Sequence, residues 1–280
     1  TRANPLRRGE VVSGRYEVTE AIASGAFGQV YEARHLATGH LMALKLLRPR
    51  SGEASAALRR EFFAEASRTA SLCHPNTVRV FDFGETGGGA LFLAMERLVG
   101  ETLAQALARC KRQQRPFGEM AARIVARAVL GSLAEAHAMG LVHQDLKPPN
   151  IFLQRLASSE FVIRVLDFGL ATSMLKHDPT STRIAGTPMY MSPEQAGRRP
   201  IDGRSDLYSL GVVLFECLAG RPPFIADAPL ELLRLHAGEP CPAVASACSW
   251  PVDPVMAALV DRALAKSPDD RFCDAQAMLA

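Results

Sequence analysis

Residues 143–150 read HQDLKPPN and place a histidine, an aspartate, a lysine and an asparagine in a stretch that also holds two prolines. Proline fixes φ and lacks a backbone donor, so the stretch is predicted to be a loop. An apolar run follows immediately at residues 151–153 and would anchor it. Polar side chains displayed on a loop beside a rigid element often carry function.

The sequence before Gly100 favours strands. Alternating or β-compatible residues predict strands at RYEVTEAIASG, QVYEARH, LMALKLL, VRVFDF and ALFLAM. Gly87-Gly88-Gly89 separates the last two and predicts a hairpin turn. A helix is predicted at about Glu53 to Leu72, where Leu58, Phe62 and Ala66 recur at helical spacing.

The sequence after Gly100 favours helices. A long core helix is predicted at 119–139, a buried helix at 205–220 that ends at Gly220, and an amphipathic helix at 253–266. The apolar stripe of the first comprises Ile124, Val125, Ala128, Val129, Ser132, Leu133 and Ala136. We therefore expect one α+β domain over 1–280, with a small strand-rich lobe at about 10–97, a hinge at about 96–100 and a larger helical lobe at about 101–280.

Composition limits the classes of partner. The 280 residues include 32 basic and 29 acidic side chains, and a net charge of +3 argues against nucleic acid or a membrane as a partner. Six cysteines without C-x-x-C pairs or zinc-like spacing indicate reduced thiols in a cytosol-like compartment. There is no signal peptide or membrane-length apolar run. The chain begins at Thr1 without Met and ends at Ala280 inside a predicted helix, so we expect an excised domain whose parent could carry a membrane anchor.

Three further signals each allow two interpretations. The glycines in residues 23–30 (ASGAFGQV) could let the backbone approach a phosphate, or could form a plain hairpin. Lys45, within the apolar strand MALKLL, is either a solvated edge charge or an enclosed ammonium that needs an anion such as Glu65, itself otherwise a solvent-facing helix residue. Asp167, after the strand FVIRVL, is either a turn former or a hard oxygen ligand for magnesium.

The order of these motifs resembles the protein kinase signature. A glycine loop is followed by a strand lysine, a helix glutamate, H-x-D-L-K-P-x-N, D-F-G and P-E, and the resemblance runs from Tyr16 to about Met278. K-P-x-N and Gly186-Thr187 resemble the serine/threonine branch. The segments HPNTVRVFDFG and SPEQ resemble the bacterial, eukaryotic-like (Hanks-type) members. The resemblance implies a two-lobed protein-kinase fold, with a small antiparallel β-rich N-lobe that holds one key helix and a mainly α-helical C-lobe.

The same resemblance implies transfer of the γ-phosphoryl group of ATP to Ser or Thr hydroxyls of protein substrates, possible self-phosphorylation included. Asp145 would orient the substrate hydroxyl and accept its proton, and Lys147 would neutralise the transferring group. Asn150 and Asp167 would hold Mg²⁺, with Mn²⁺ as an alternative. Thr187 would lie beside Asp145 and help to accept Ser or Thr.

Nucleotide binding is implied at further positions. Lys45 would bridge the α- and β-phosphates and pair with Glu65. The backbone of the glycine loop, at Ala23, Ser24, Gly25 and Gly28, would cover the phosphates. Glu96 and Leu98 would form the hinge that contacts adenine, and Met95 would be the gatekeeper. The adenine ring would lie between Val30, Ala43 and Phe152. In supporting roles, His143 would pack near Phe168, Glu194 would pair with Arg271, and Asp206 would brace the catalytic loop.

Two residues depart from the family pattern. Ala23 replaces the first glycine, and Gln144 stands where most members have an Arg that pairs with an activation-segment phosphate. We therefore expect activity to depend only weakly on phosphorylation of the segment hydroxyls Thr172, Ser173, Thr180, Ser181 and Thr182. Control would then come from a regulatory partner, a homodimer or regions outside this chain. Alternatively, Gln144 only packs under the loop.

Two rival functions compete with the kinase activity. A pseudokinase would keep the fold as a scaffold, but it has no chemical need for the whole set Lys45, Glu65, Asp145, Lys147, Asn150 and Asp167. A small-molecule kinase is disfavoured because the G-T-P-x-Y and P-E segments resemble a peptide-binding surface. We expect a cytoplasmic enzyme that makes no membrane contact through this fragment.

Overall fold

The structure, a computed structural model, describes residues 6–25, 28–47, 56–158, 160–168 and 188–280. These residues divide into two compact units. The first unit contains the described residues up to Cys73 together with Val78–Val99, and the second contains 74–77 and the described residues from Gly100 onward. Sheet dominates the first unit and helix the second, so the α+β prediction is confirmed.

A six-stranded antiparallel sheet forms the first unit, in the order β1-β2-β3-β4-β6-β5. Its strands are β1 (Val11–Val12), β2 (Tyr16–Gly25), β3 (Gly28–His35), β4 (Leu41–Leu47), β5 (Val80–Glu85) and β6 (Leu91–Glu96). The helix α1 (Ala56–Ala70) packs against β5. The helix predicted from Glu53 to Leu72 is thus confirmed over 56–70 and ends before Ser71, while 53–55 lie outside the described residues.

Two positions of this sheet depend on glycine. Between β5 and β6, Thr86 donates its N–H to Ala90 O at 2.7 Å and Gly89 adopts a φ of +77°, so the predicted hairpin turn is confirmed. At the start of β3, Gly28 has a φ of +154°, and a Cβ atom there would lie 1.8 Å from the carbonyl oxygen of Leu46. The close approach of β3 to β4 therefore requires glycine at this position.

The second unit is built mainly of helices. Its helices are α2 (Leu103–Arg112), α3 (Glu119–Ala138), α4 (Pro193–Ala196), α5 (Gly203–Ala219), α6 (Pro229–Gly238), α7 (Val244–Ala247), α8 (Pro254–Ala263) and α9 (Ala275–Leu279). A three-stranded antiparallel sheet joins β7 (Gly100–Thr102), β8 (Ile151–Arg155) and β9 (Phe161–Val165). Short 3₁₀ turns occur at Pro148–Asn150, Pro188–Tyr190 and Pro268–Asp270.

The helix α5 is the centre of the second unit. Nearly every side chain from Ser205 to Leu218 is buried, and the helix packs against α3 and α8. Its apolar sequence explains this burial on all sides. The helix ends where Gly220 adopts a left-handed conformation at φ +72°, as the sequence predicted.

The other helix predictions hold in part. The helix predicted at 119–139 is found as α3, and the helix predicted at 253–266 is found as the shorter α8, which ends at Ala263. Ile124, predicted to lie in the buried stripe of α3, is instead 55% exposed, so that prediction is wrong. The helix α2 was not predicted, although Thr102 and Gln105 form a capping box at its start.

The short segment 74–77 is fastened to the second unit by its own hydrogen bonds. His74 donates its backbone N–H to Glu135 Oε2 at 2.9 Å, and Asn76 Nδ2 donates to Ile163 O at 2.8 Å. Thr77 and Ser132 share a buried hydroxyl bond of 2.7 Å. None of the described helices is long and apolar enough to cross a membrane.

Candidate active site

The stretch 143–150 forms a loop between α3 and β8, as predicted. Its last three residues make a 3₁₀ turn with Pro148 in the first position, where a missing N–H costs nothing. Ile151 then begins β8 and is completely buried. The polar side chains of the loop are therefore held between a long helix and a paired strand.

Asp145 lies at the centre of a polar cluster in this loop. Lys147 Nζ is 2.8 Å from Asp145 Oδ2 and 2.9 Å from Oδ1. Asn150 Nδ2 donates to the backbone oxygen of Asp145 at 2.8 Å and to Oδ2 at 3.2 Å. The side chains of Asp145 and Lys147 are each 14% exposed. The carboxylate is thus oriented by two donors and remains accessible to a reactant.

Asp206, on α5, accepts hydrogen bonds from the backbone of this loop. Its side chain accepts the N–H of His143 at 2.8 Å and the N–H of Gln144 at 2.9 Å. His137 Nε2 is 2.8 Å from the same carboxylate. Asp206 is completely buried. The prediction that Asp206 braces the loop is confirmed, whereas His137 was not predicted because its role depends on a residue 69 positions away.

Gln144 occupies an unusual backbone conformation. Its φ is +63°, in the left-handed region that residues other than glycine rarely adopt. Its carbonyl oxygen accepts a hydrogen bond from Gln195 Nε2 at 2.7 Å. Its side-chain Oε1 is buried and has no hydrogen-bond partner among the residues that the structure describes. The backbone of Gln144, rather than its side chain, makes the polar contacts.

The end of β9 is joined to the loop beside Asp145. The His143 and Phe168 rings lie 4.8 Å apart, so their predicted packing is confirmed. His143 Nε2 is 2.8 Å from Leu166 O, and the N–H of Leu166 donates to Asn150 O at 2.9 Å. Asp167 follows at once with a φ of +60°. Asn150 and Asp167 are therefore presented from two connected segments of the same unit.

The segment that leads into α4 is fixed to α5 and to the C-terminal region. Arg271 donates to both carboxylate oxygens of Glu194, at 2.8 and 2.9 Å, so the predicted pair is confirmed. Burial alone would raise the pKa of Glu194, but hydrogen bonds from Arg271 and Ser205 outweigh it and lower the pKa. Tyr190 donates to Glu216 Oε2 at 2.6 Å. The stretch from Tyr190 to Glu194 is thus bonded at both of its ends.

The first unit contains most of the residues predicted to bind nucleotide. Lys45 is half-buried on β4, where its registry partners are Val30 on β3 and Leu93 on β6. Glu65 on α1 is only 7% exposed, so the solvent-facing alternative is wrong. Ala43 and Met95 are registry partners in the same sheet. Residues 26–27, Gly169, Gly186, Thr187 and the activation-segment hydroxyls lie outside the described residues.

Comparison with known proteins agrees with this geometry. Residues 16–279 match a family model described as protein kinase domain. The chain is 38% identical to the serine/threonine-protein kinase pkn3 of Myxococcus xanthus, over 97% of this chain and 50% of that relative. It is also 38% identical to PksC, a serine/threonine-protein kinase of Streptomyces coelicolor, over 96% of this chain and 48% of that relative. The chain therefore spans about half the length of these relatives.

Solved structures give the same result. The crystal structure of the Mycobacterium tuberculosis PknI kinase domain aligns with a TM-score of 0.75 and 28% identity, over 99% of this chain and 97% of that one. The fold and the Asp145 loop are those of the phosphoryl-transferring kinases, which use ATP and a divalent metal ion. This chain belongs to the protein kinase family. The family and the two-lobed kinase fold predicted from the sequence are both confirmed.

Proposed function

We propose that this chain is a serine/threonine protein kinase domain that transfers the γ-phosphoryl group of ATP to Ser or Thr hydroxyls of protein substrates, its own included. One observation carries the proposal. The Asp145 carboxylate is bonded by Lys147 and Asn150 in a loop whose backbone is bonded to buried Asp206. Phosphoryl transfer needs positioning and charge neutralisation more than covalent chemistry, and this cluster supplies both.

Within this cluster, Asp145 orients the substrate hydroxyl and accepts its proton. Lys147, whose ammonium group lies 2.8 Å from Asp145 Oδ2, supplies positive charge next to the developing negative charge. Asn150 keeps the Asp145 carboxylate in one orientation through the bond to Oδ2. From the family resemblance, we assign Thr187 a role in the binding of the Ser or Thr side chain of the substrate.

The divalent metal ion is assigned to Asn150 and Asp167. Asn150 uses its Nδ2 for both bonds to Asp145, which leaves Oδ1 as the atom available for a cation. An amide oxygen and a carboxylate are hard ligands that fit Mg²⁺, and Mn²⁺ is the alternative. In the described parts of the chain, no group of three or more His, Cys, Asp and Glu is arranged to hold a metal. A site with few protein ligands suits Mg²⁺, which when bound neutralises phosphate charge.

ATP itself is assigned to the residues that the family pattern implies. The half-buried position of Lys45 supports contact with the α- and β-phosphates, and the burial of Glu65 supports its role as the partner of that lysine. The remaining assignments follow the family pattern: Ala23, Ser24, Gly25 and Gly28 over the phosphates, Met95 as gatekeeper, Glu96 and Leu98 as hinge, and Val30, Ala43 and Phe152 around adenine.

The cellular setting is part of the proposal. All six cysteines lie within the described residues and form no disulfide there, which fits the cytoplasm, where ATP is available. We propose that a regulatory partner or a second copy controls the enzyme, because Gln144 cannot make the charge-assisted contact with a phosphate that an arginine makes.

The test is phosphate transfer from labelled ATP to a generic basic protein, with and without Mg²⁺. We expect Mg²⁺-dependent incorporation into Ser and Thr by the wild-type chain. The variant Asp145→Asn should lose at least a hundredfold in rate while it still binds ATP, since it keeps the shape of the loop but removes the proton acceptor. Nucleotide binding without transfer by the wild type would indicate a pseudokinase and contradict the proposal.

A further inference from the structure

The helix α4 begins with a capping box whose glutamine makes a second contact. Ser192 Oγ accepts the N–H of Gln195 at 3.2 Å, and Gln195 Oε1 accepts the N–H of Ser192 at 2.9 Å. Because its oxygen is engaged in the capping box, the amide must point Nε2 away from Ser192. That nitrogen donates to the carbonyl oxygen of Gln144 at 2.7 Å. The two atoms of one amide therefore perform two separate tasks.

The receiving carbonyl belongs to the residue directly before Asp145. The N–H of Gln144 is bonded to Asp206 and its C=O to Gln195, so both polar groups of its backbone are held by other elements. The left-handed φ of +63° is disfavoured for glutamine, and such a conformation persists only when its surroundings impose it. These two bonds restrain the backbone of Gln144 at both its N–H and its C=O.

The helix α4 is itself rigidly attached to α5. Glu194, next to Gln195, accepts a hydrogen bond from Ser205 Oγ as well as from Arg271. Ser205 is completely buried and is adjacent to Asp206 along α5. The contacts therefore form a closed ring, from α5 through Asp206 to Gln144, through Gln195 to α4, and back through Glu194 to α5.

We propose that Gln195 is a positioning residue for Asp145, and that it acts through the Gln144 carbonyl. The proposal rests on the proposed kinase function. Through this bond, α4 is connected to the catalytic loop by a donor and an acceptor that are both uncharged. The bond therefore restrains the backbone next to Asp145 without a phosphate or an arginine.

The variant Gln195→Glu separates the two tasks of the amide. Glutamate is a preferred residue at the third position of a capping box, so the contact with Ser192 is kept, but the donor to Gln144 is lost. We expect kcat to fall about tenfold, while KM for ATP stays within about twofold and the thermal midpoint changes little. A role limited to capping would leave kcat unchanged.

The chain offers a matched control in α2. Gln105 forms the same capping box with Thr102, at 2.8 and 3.2 Å, but is exposed and has no bond to the catalytic loop. Gln105→Glu should leave kcat and KM within about twofold of wild type. A second variant, Gln195→Met, keeps the length of the side chain without either polar atom. It should show the same loss of kcat together with a lower thermal midpoint.

Hydrogen exchange of residues 143–147 gives a readout that does not depend on activity. We expect faster exchange there in Gln195→Glu and unchanged exchange in Gln105→Glu. If kcat and exchange in folded Gln195→Glu both match wild type, the proposal is wrong. An equal loss of kcat in Gln105→Glu would also overturn it. An inactive wild type would refute the proposed function instead, and the exchange comparison would still decide the role of Gln195.

Discussion

Each of the two units contains an ion pair, and the two pairs differ in burial. The sheet of the first unit is centred on apolar and aromatic side chains, among them Tyr16, Leu44 and Phe92, and its Arg59–Glu85 ion pair is partly exposed, at 38% and 29%. In the second unit, the Arg271–Glu194 pair is buried, at 0% and 4%. The Arg271–Glu194 pair fixes α4 to the C-terminal region from a buried position, whereas the Arg59–Glu85 pair joins α1 to β5 at the surface.

This difference has an energetic consequence. An exposed ion pair contributes about 0–1 kcal/mol, whereas removal of one partner from a buried pair costs about 3–5 kcal/mol because a charge is left without compensation. Arg271 is an extreme case, since all five of its N–H donors are used: by Glu194 twice and by the carbonyls of Ala265, Arg204 and Lys266.

The largest predicted effect is therefore on Arg271. We expect Arg271→Ala to lower the free energy of unfolding by about 3–5 kcal/mol, because Glu194 stays buried without its partner. Urea denaturation at pH 7 measures it. In the double variant with Glu194→Gln, the added cost of losing Arg271 should be smaller, since no carboxylate remains. A loss below about 1 kcal/mol for Arg271→Ala would show that this buried pair contributes no more to the free energy of unfolding than a surface pair does.

The next effect is a pH dependence in the same unit. Burial, together with the charge of Lys266, lowers the pKa of His236 to about 4, from 6.5. The unfolded chain then binds a proton at higher pH than the folded one, so the stability contributed by the neutral ring is complete above about pH 6.5. It is lost as the pH falls towards 4, by about 3 kcal/mol in total.

The measurement is urea denaturation of wild type and His236→Gln at pH 7 and pH 4. The difference in free energy of unfolding between the two proteins should shift by about 3 kcal/mol in favour of the variant at the lower pH. A constant difference would mean that His236 becomes charged without cost in the folded protein, which its complete burial contradicts.

In the first unit, backbone packing should matter more than charge. Gly28→Ala should cost about 2 kcal/mol of unfolding free energy, since a Cβ atom would lie 1.8 Å from Leu46 O. Gly87→Ala is the control, because no heavy atom lies within 4 Å of its built Cβ. Equal stability of the two variants in urea would show that β3 can move away from β4 at no cost.

The smallest effect is expected at the surface pair of the first unit. Glu85→Gln removes the charge opposite Arg59, which lies 2.8 Å away, and keeps the shape of the side chain. We expect a loss of less than about 1 kcal/mol at low salt and less still at about 1 M NaCl, where exposed charges are screened. A loss comparable to that of Arg271→Ala would remove the distinction between the buried and the exposed pair.

The features that the sequence predicted are local ones. Gly220 ends α5 as its apolar run indicated, and the prolines of 143–150 correctly indicated a loop. The pairing of Glu194 with Arg271 and the bracing by Asp206 came from the family resemblance, because no spacing in the chain reveals contacts over 77 and 62 positions.

The features that the sequence missed depend on tertiary contacts or on weak signals. Gln195 reads as a helix residue after Pro193-Glu194, and only the fold brings it to a carbonyl 51 positions earlier. Gly28 suggested a phosphate loop or a hairpin, while its strict requirement arises from Leu46 on the neighbouring strand. The helix α2 could have been found, since Thr102 and Gln105 have the capping-box spacing before Leu107 and Cys110.

The loop at 143–150 is bonded to Asp206 and Gln195, and we therefore expect activity to depend only weakly on phosphate on the activation segment. The direct measurement compares initial rates of phosphate transfer by untreated wild type, phosphatase-treated wild type and a variant with Thr180, Ser181 and Thr182 all replaced by Ala. We predict that the three rates agree within about threefold. A loss of about tenfold or more in both the treated protein and the variant, about 1.4 kcal/mol of transition-state stabilisation, would contradict the claim.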